Sequence, residues 1–280
     1  MNKEIVFFGT SDFGIPCLEG LVNSDEFEIK AVITQPDKPV GRKQILEPSP
    51  IKKRSLELNL PVFDAVDALD DIEVDLAVLI SYGEILKPST IAKFSSGIIN
   101  VHPSMLPQWR GPAPIQYALL NDDKITGVSI MMIDSGMDTG PILSQTQFPI
   151  DKSDDYITLS KKLSLVSVDL LLDAMKNYVA GSIQVAAQKQ SGITYSKIIS
   201  KSDGQIKSTD DPYEIINKLR AYAHWPGIFF IWKNQRIKLL TAHIENDEFM
   251  IDSLQPAGKK PMSYQDFLHG HPEFLFSDVI

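Results

Sequence analysis

The chain has one cysteine, Cys17, in 280 residues, so no internal disulfide can form, and a reducing compartment is the natural setting. No apolar run approaches the roughly 20 residues that a membrane-spanning helix needs. The five histidines, His102, His224, His243, His269 and His271, show no zinc-type spacing with that cysteine, and His269 and His271 read as a surface tail rather than a metal site. A glycine turn, Gly9 to Gly14, follows the first apolar run but lacks the G-x-G-x-x-G spacing, which removes the usual signal for a dinucleotide. Positive charge is also scarce, with 27 Lys+Arg against 36 Asp+Glu and a formal net charge of −9. A nucleic-acid binder is more often basic overall.

The acidity is uneven. From Ala186 onward there are 11 Lys+Arg and 11 Asp+Glu, which leaves 16 against 25 in residues 1–185. Within that acidic part Lys38, Arg42, Lys43, Lys52, Lys53 and Arg54 crowd into a short span. A local patch of this kind can steer a phosphate backbone. The opening residues are too short for a signal-peptide core before the glycine turn, so a cytoplasmic location is expected.

Alternating runs of apolar residues predict an α/β fold of doubly wound type. Strands are expected at Ile5–Phe8, Ile29–Thr34, 61–63, Asp75–Ile80, Ile98–Val101, Val128–Ile133 and Ile142–Pro149. Helices are expected at Ile15–Val22, Ile51–Leu58, Gln116–Leu120 and, with the clearest period, Tyr156–Val179. Between Gln35 and Pro50 lies a long proline-stiffened loop. The boundaries are 1–183 for the first domain, 184–211 for a polar linker and 212–280 for a second domain. A helix from Pro212 to His224 and strands at Ile228–Trp232, Arg236–Ala242 and Glu248–Leu254 suggest a small β-barrel of OB type.

The stretch from Ile98 to Leu143 organises the chemistry. Asn100 and His102 end an apolar strand and share a face. A second run, Val128 to Ile133, leads to Asp134-Ser135-Gly136-Met137-Asp138-Thr139-Gly140. Two strand ends would then present an amide, an imidazole and a carboxylate at the crevice where open α/β sheets bind ligands. Singly, these residues suit strand-end caps and a turn former. Together they suit acyl transfer: Asn100 can donate to an oxyanion, His102 can donate or move a proton, and Asp138 can orient the histidine or accept a proton. No serine or cysteine adjoins them as a nucleophile, which favours direct attack of one substrate on the other.

Asn-x-His-Pro-Ser-x-Leu-Pro from Asn100, Arg-Gly-x-x-Pro-Ile from Arg110 and Gly-Met-Asp-Thr-Gly from Gly136 resemble the folate-dependent formyltransferases. Phe8 to Phe13, Thr34 to Arg42 and Leu254 to Met262 resemble the branch of that family whose acceptor is methionyl-initiator-tRNA. The resemblance implies a Rossmann-like domain followed by an OB-like domain, with 10-formyltetrahydrofolate as donor and no metal. It implies Asn100, His102 and Asp138 as catalytic residues. The folate is expected at Ser104, Met105, Leu106 and Pro107, and near the backbone of Tyr82 and Gly83. The tRNA contacts are expected at Lys38, Arg42 and Lys43, on a monomer with no membrane partner. Between Ala242 and Leu254 the chain looks shorter than its family, as if a hairpin were missing. A sugar-nucleotide N-formyltransferase shares the trio and the folate and is the alternative.

Overall fold

A computed structural model describes residues 2–41 and 44–279. The chain opens with β1 (Lys3–Gly9), α1 (Ile15–Val22) and β2 (Phe27–Ile33). Then come β3 (Lys38–Val40), β4 (Ile45–Glu47), α2 (Pro50–Glu57) and β5 (Val62–Phe63). Next are β6 (Leu76–Ile80), α3 (Pro88–Ile91), β7 (Ile98–His102), α4 (Pro114–Leu120), β8 (Ile125–Met132), β9 (Ile142–Pro149) and α5 (Tyr156–Val179). The rest of the chain forms α6 (Pro212–Ala221), β10 (Ile228–Trp232), β11 (Gln235–Glu245), β12 (Glu248–Pro256), β13 (Met262–Ser263) and α7 (Tyr264–Gly270).

Among the described residues the main sheet has seven strands in the order β5-β2-β1-β6-β7-β8-β9. The first five in that order run parallel, while β8 is antiparallel to β7 and β9 to β8. In β1, Ile5, Val6, Phe7 and Phe8 are all 1% exposed or less. Apolar side chains on both faces mark a central strand of a parallel sheet covered on both sides. Val6, Phe8, Ala31, Ile33, Ala77 and Ile98 form one continuous core cluster from neighbouring strands.

The helices start where the sequence prepares them. Ser49 accepts a hydrogen bond from the Lys52 amide at 3.0 Å and caps α2, and Pro50 occupies the first turn. Pro114 opens α4 in the same way. The Gln35–Pro50 segment, expected as a loop, contains the β3–β4 hairpin, in which Lys38 pairs with Glu47. Its residues Ile45 and Leu46 are exposed, so no buried period announces these strands.

By contacts the chain forms two compact units. One holds 1–112, 125–149 and 160–195; the other holds 113–124, 150–159 and 196–280. The second unit carries an antiparallel sheet, β10-β11-β12-β13. Its hairpins close at Lys233-Asn234 and Asn246-Asp247, with positive φ at all four residues, as a two-residue turn joining twisted strands requires. The β11–β12 ladder runs to Glu245 and Glu248, longer than the sequence suggested. Phe230, Trp232, Phe267 and Phe274 pack as its aromatic core. His271, expected in a surface tail, packs tilted against Phe267 and edge-on against Trp232, with centroid separations of 4.7 and 5.0 Å.

Candidate active site

β7 positions the first two polar groups. Asn100 and His102 are 7% and 5% exposed, both near the carboxyl end of a parallel strand. Among the described residues no protein group hydrogen-bonds the Asn100 carboxamide. Its donors and acceptor are therefore available to a ligand.

His102 is held from both sides. Nε2 lies 3.0 Å from the carbonyl oxygen of Trp109. A carbonyl can only accept, so that contact assigns the ring hydrogen to Nε2 in the neutral imidazole. Nδ1 then presents a lone pair toward Asp138 Oδ2 at 3.8 Å. This is too long for a direct hydrogen bond, and both atoms are acceptors. A proton placed between them would be shared by the two acceptors.

Asp138 does not reach this position as the sequence suggested. Because β8 is antiparallel to β7, Met132 pairs with Ile99, and Ser129 pairs with His102. The carboxyl end of β8 thus lies three residues from His102, about 10 Å along the strand. The expectation that two carboxyl ends meet is corrected: residues 133–141 fold back toward His102. The fold-back is secured at Asp138 Oδ2, which accepts from the Gly111 amide at 2.7 Å. Asp138 itself has φ of +51°. Such a conformation costs a non-glycine residue on the order of 1 kcal/mol, least for Asp and Asn.

Ser104 to Pro107 forms a braced loop beside the trio. Ser129 Oγ donates to the Ser104 carbonyl at 2.6 Å and accepts from the Leu106 amide at 3.1 Å. Gln145 Nε2 donates to the Leu106 carbonyl at 2.9 Å and to Ser129 Oγ at 2.7 Å. Ser104 Oγ donates to the Gln108 carbonyl at 2.6 Å. Ser104 and Leu106 are buried, while Met105 and Pro107 are half-buried. Gly127 leaves room for the Met105 thioether: a Cβ there would sit 2.5 Å from Sδ and 2.1 Å from the Thr146 carbonyl oxygen. Ser129 and Gln145 escaped sequence reasoning, since a lone polar residue inside a strand gives no local signal.

Tyr82 belongs to the core. It is 3% exposed, its ring meets Phe8 edge-on at 5.5 Å, and burial pushes its phenol above the ordinary tyrosine range. Its carbonyl accepts from Thr10 Oγ1 at 2.7 Å and Gln35 Nε2 at 3.0 Å. Gly83 has φ of +83° and leaves space for the Gln35 carboxamide, 2.7 Å from where a Cβ would lie.

The basic patch is thinner than its sequence. Lys52 pairs with Asp37 at 2.6 Å, and Arg54 with Glu19 and Glu57 at 2.7 and 2.8 Å. Lys38 is exposed and donates to Gln35 Oε1. Arg42 and Lys43 lie outside the described residues. Among the described residues no helix is long and apolar enough to cross a membrane, and no cluster of three His, Cys, Asp or Glu forms a metal site.

Two family profiles match, "Formyl transferase" over residues 3–175 and "Formyl transferase, C-terminal domain" over 198–250. The methionyl-tRNA formyltransferase of Caldicellulosiruptor saccharolyticus is 37% identical over 303 aligned positions, covering 96% of this chain and 97% of that protein. Those 303 positions exceed the 280 residues here, so the relative carries residues this chain lacks. Among solved structures, HypX from Aquifex aeolicus gives a TM-score of 0.68 at 15% identity, covering 100% of this chain and 49% of that one. This chain thus spans about half the length of HypX. WlaRD, a sugar 3N-formyl transferase solved with dTDP and 5-N-formyl-THF, gives 0.65 at 21% identity, covering 93% and 99%. Methionyl-tRNA formyltransferase from Clostridium thermocellum gives 0.64 at 16%, covering 91% and 98%. At these identities the structural likeness is one of fold.

Proposed function

We infer that this chain, which belongs to the methionyl-tRNA formyltransferase family, transfers the formyl group of 10-formyltetrahydrofolate to the α-amino group of methionyl-initiator-tRNA. The product is formylmethionyl-tRNA for translation initiation. The single observation that carries the site assignment is the uncommitted Asn100 carboxamide beside the His102–Asp138 pair.

The amine nitrogen attacks the formyl carbon, and the carbonyl electron pair moves to oxygen. Asn100 donates a hydrogen bond to that oxyanion. The Nε2–H of His102 is engaged by the Trp109 carbonyl, so the second function of the ring lies at Nδ1. Nδ1 and Asp138 Oδ2 receive the proton that the amine loses, and the resulting imidazolium is held by the carboxylate. Collapse re-forms the carbonyl and breaks the bond to N10 of the folate, and the proton held by the His102–Asp138 pair passes to N10 as it leaves. No covalent enzyme intermediate is needed.

Ser104 to Pro107 hold the folate, on a loop whose bracing by Ser129 and Gln145 supports a preformed site. The pterin approaches the backbone near Tyr82 and Gly83 rather than the buried Tyr82 ring. Arg42 contacts the tRNA, with Lys38 and Lys43 beside it. Residues 1–183 form the catalytic domain, 184–211 the linker and 212–280 a shortened C-terminal domain. The extents of the two matching profiles support this division. The protein acts as a monomer in the cytoplasm, so sedimentation should give a single-chain species.

A sugar-nucleotide acceptor on the same folate donor is the alternative, and the relatives' 33–37% identity over nearly the whole chain weighs against it. Formyl transfer assayed with wild-type and Asn100→Ala protein tests the assignment. Near-normal turnover by Asn100→Ala would remove it.

A further inference from the structure

Asp138 depends on a turn that neither strand end supplies, so what holds the turn bears on the reaction. Gln188 lies beyond α5 in a polar segment with no helical or strand period. It is nonetheless only 6% exposed, and Arg110 is 5% exposed. The Gln188 Nε2 group donates to the carbonyl of Asp138 at 2.8 Å and to that of Gly140 at 2.8 Å. One amide therefore brackets the turn on both sides of Thr139. Gln188 Oε1 accepts from Arg110 Nε at 3.0 Å and Nη2 at 2.7 Å. A guanidinium only donates and a carbonyl only accepts, so the two ends of the carboxamide cannot be exchanged. Next to Arg110, the Gly111 amide donates to Asp138 Oδ2 at 2.7 Å. The Arg110-Gly111 pair thus fixes the carboxylate directly and the backbone through Gln188. The segment itself is tied down where the Ala186 and Ile142 amides exchange hydrogen bonds with each other's carbonyls at 2.9 and 2.7 Å.

We propose that Gln188 is a positioning residue for the formyl-transfer reaction, holding the Asp138 turn so that the carboxylate faces His102 Nδ1. The inference rests on the catalytic reading of Asp138 given above. It differs from a purely structural role in a specific way. Gln188→Glu keeps an acceptor, now charged, for Arg110, so the buried guanidinium stays paired. It places oxygen lone pairs against two carbonyl oxygens, where only a donor is tolerated. Gln188→Met removes both interactions in a similar volume.

The test compares both variants with wild type and Asp138→Asn, using 10-formyltetrahydrofolate and methionyl-initiator-tRNA. Displacing a reacting group by about 1 Å can cost on the order of 10²-fold, so kcat should fall by that order in Gln188→Glu. KM for the folate should stay within about twofold, because ground-state binding is untouched. Adding Gln188→Glu to Asp138→Asn should produce no further loss, since the two act through one group. Amide hydrogen exchange of residues 134–140 should quicken in both Gln188 variants. Unchanged exchange there, or a Gln188→Glu loss that multiplies with that of Asp138→Asn, would overturn the proposal. Normal turnover by Asp138→Asn would instead remove the catalytic reading of Asp138, while the exchange result still decides whether Gln188 holds the turn.

Discussion

Asp138 Oδ2 lies 3.8 Å from His102 Nδ1, and the backbone that carries it there has φ of +51°. The two residues come from elements whose strands run in opposite directions, so a folded-back connection brings them together. Replacing Asp138 by Asn preserves an acceptor for the Gly111 amide and a residue that tolerates this φ. Asp138→Asn should therefore fold with nearly unchanged thermal stability while kcat falls by about 10²–10⁴-fold, the usual worth of a proton-transfer group. Single-turnover kinetics beside a melting curve would show whether the two separate.

Asn100 makes the complementary case. With no hydrogen-bond partner for its carboxamide among the described residues, Asn100→Ala removes little folded-state hydrogen bonding. Its kcat should fall by roughly 10²–10³-fold, as for loss of one oxyanion donor. A fall in stability without a fall in kcat would return Asn100 to a structural role.

Ser129 supports the loop at Ser104–Pro107 through buried bonds. Ser129→Ala leaves the Leu106 amide and the Ser104 carbonyl without these partners, costing about 1–3 kcal/mol. The melting temperature should drop by several degrees, and KM for 10-formyltetrahydrofolate should rise more than KM for the tRNA. An equal rise in both would argue against the folate at this loop.

Burial pushes the Cys17 thiol up to about 12 from an ordinary value near 9. The folded chain keeps a proton that the unfolded chain releases, so stability is full below pH 9 and declines as pH rises from 9 toward 12. The slope is up to about 1.4 kcal/mol for each pH unit. Tyr222, raised to about 12 mainly by desolvation, adds in the upper part of the same window. Urea melts at pH 8, 9.5 and 10.5 would measure the decline, and Cys17→Ala should flatten its lower part. In native buffer below pH 9 the thiol should resist a disulfide reagent.

Most of the fold was legible because its strands are apolar runs bounded by turn residues, as in Ile98–Val101, and its long helix keeps a clear period. The direction of β8 was not legible, since apolar periodicity is the same read either way. The β3–β4 hairpin escaped because Ile45 and Leu46 face solvent. Asn100, His102 and Asp138 stood out in the sequence as motif residues, and His102 Nδ1 and Asp138 Oδ2 lie 3.8 Å apart. Gln188 was invisible because its partners, Arg110, Asp138 and Gly140, are 78, 50 and 48 residues away. The pairing of Lys52 with Asp37 and of Arg54 with Glu19 was not legible, since those carboxylates come from elsewhere in the chain.

The most direct measurement is acceptor choice. The purified protein would be incubated with 10-formyltetrahydrofolate and either methionyl-initiator-tRNA or a panel of amino-sugar nucleotides. The expected result is formylation of the tRNA alone, with kcat/KM for tRNA reduced in Arg42→Ala. Transfer to a sugar nucleotide and none to the tRNA would contradict the proposed function while leaving the catalytic trio in place.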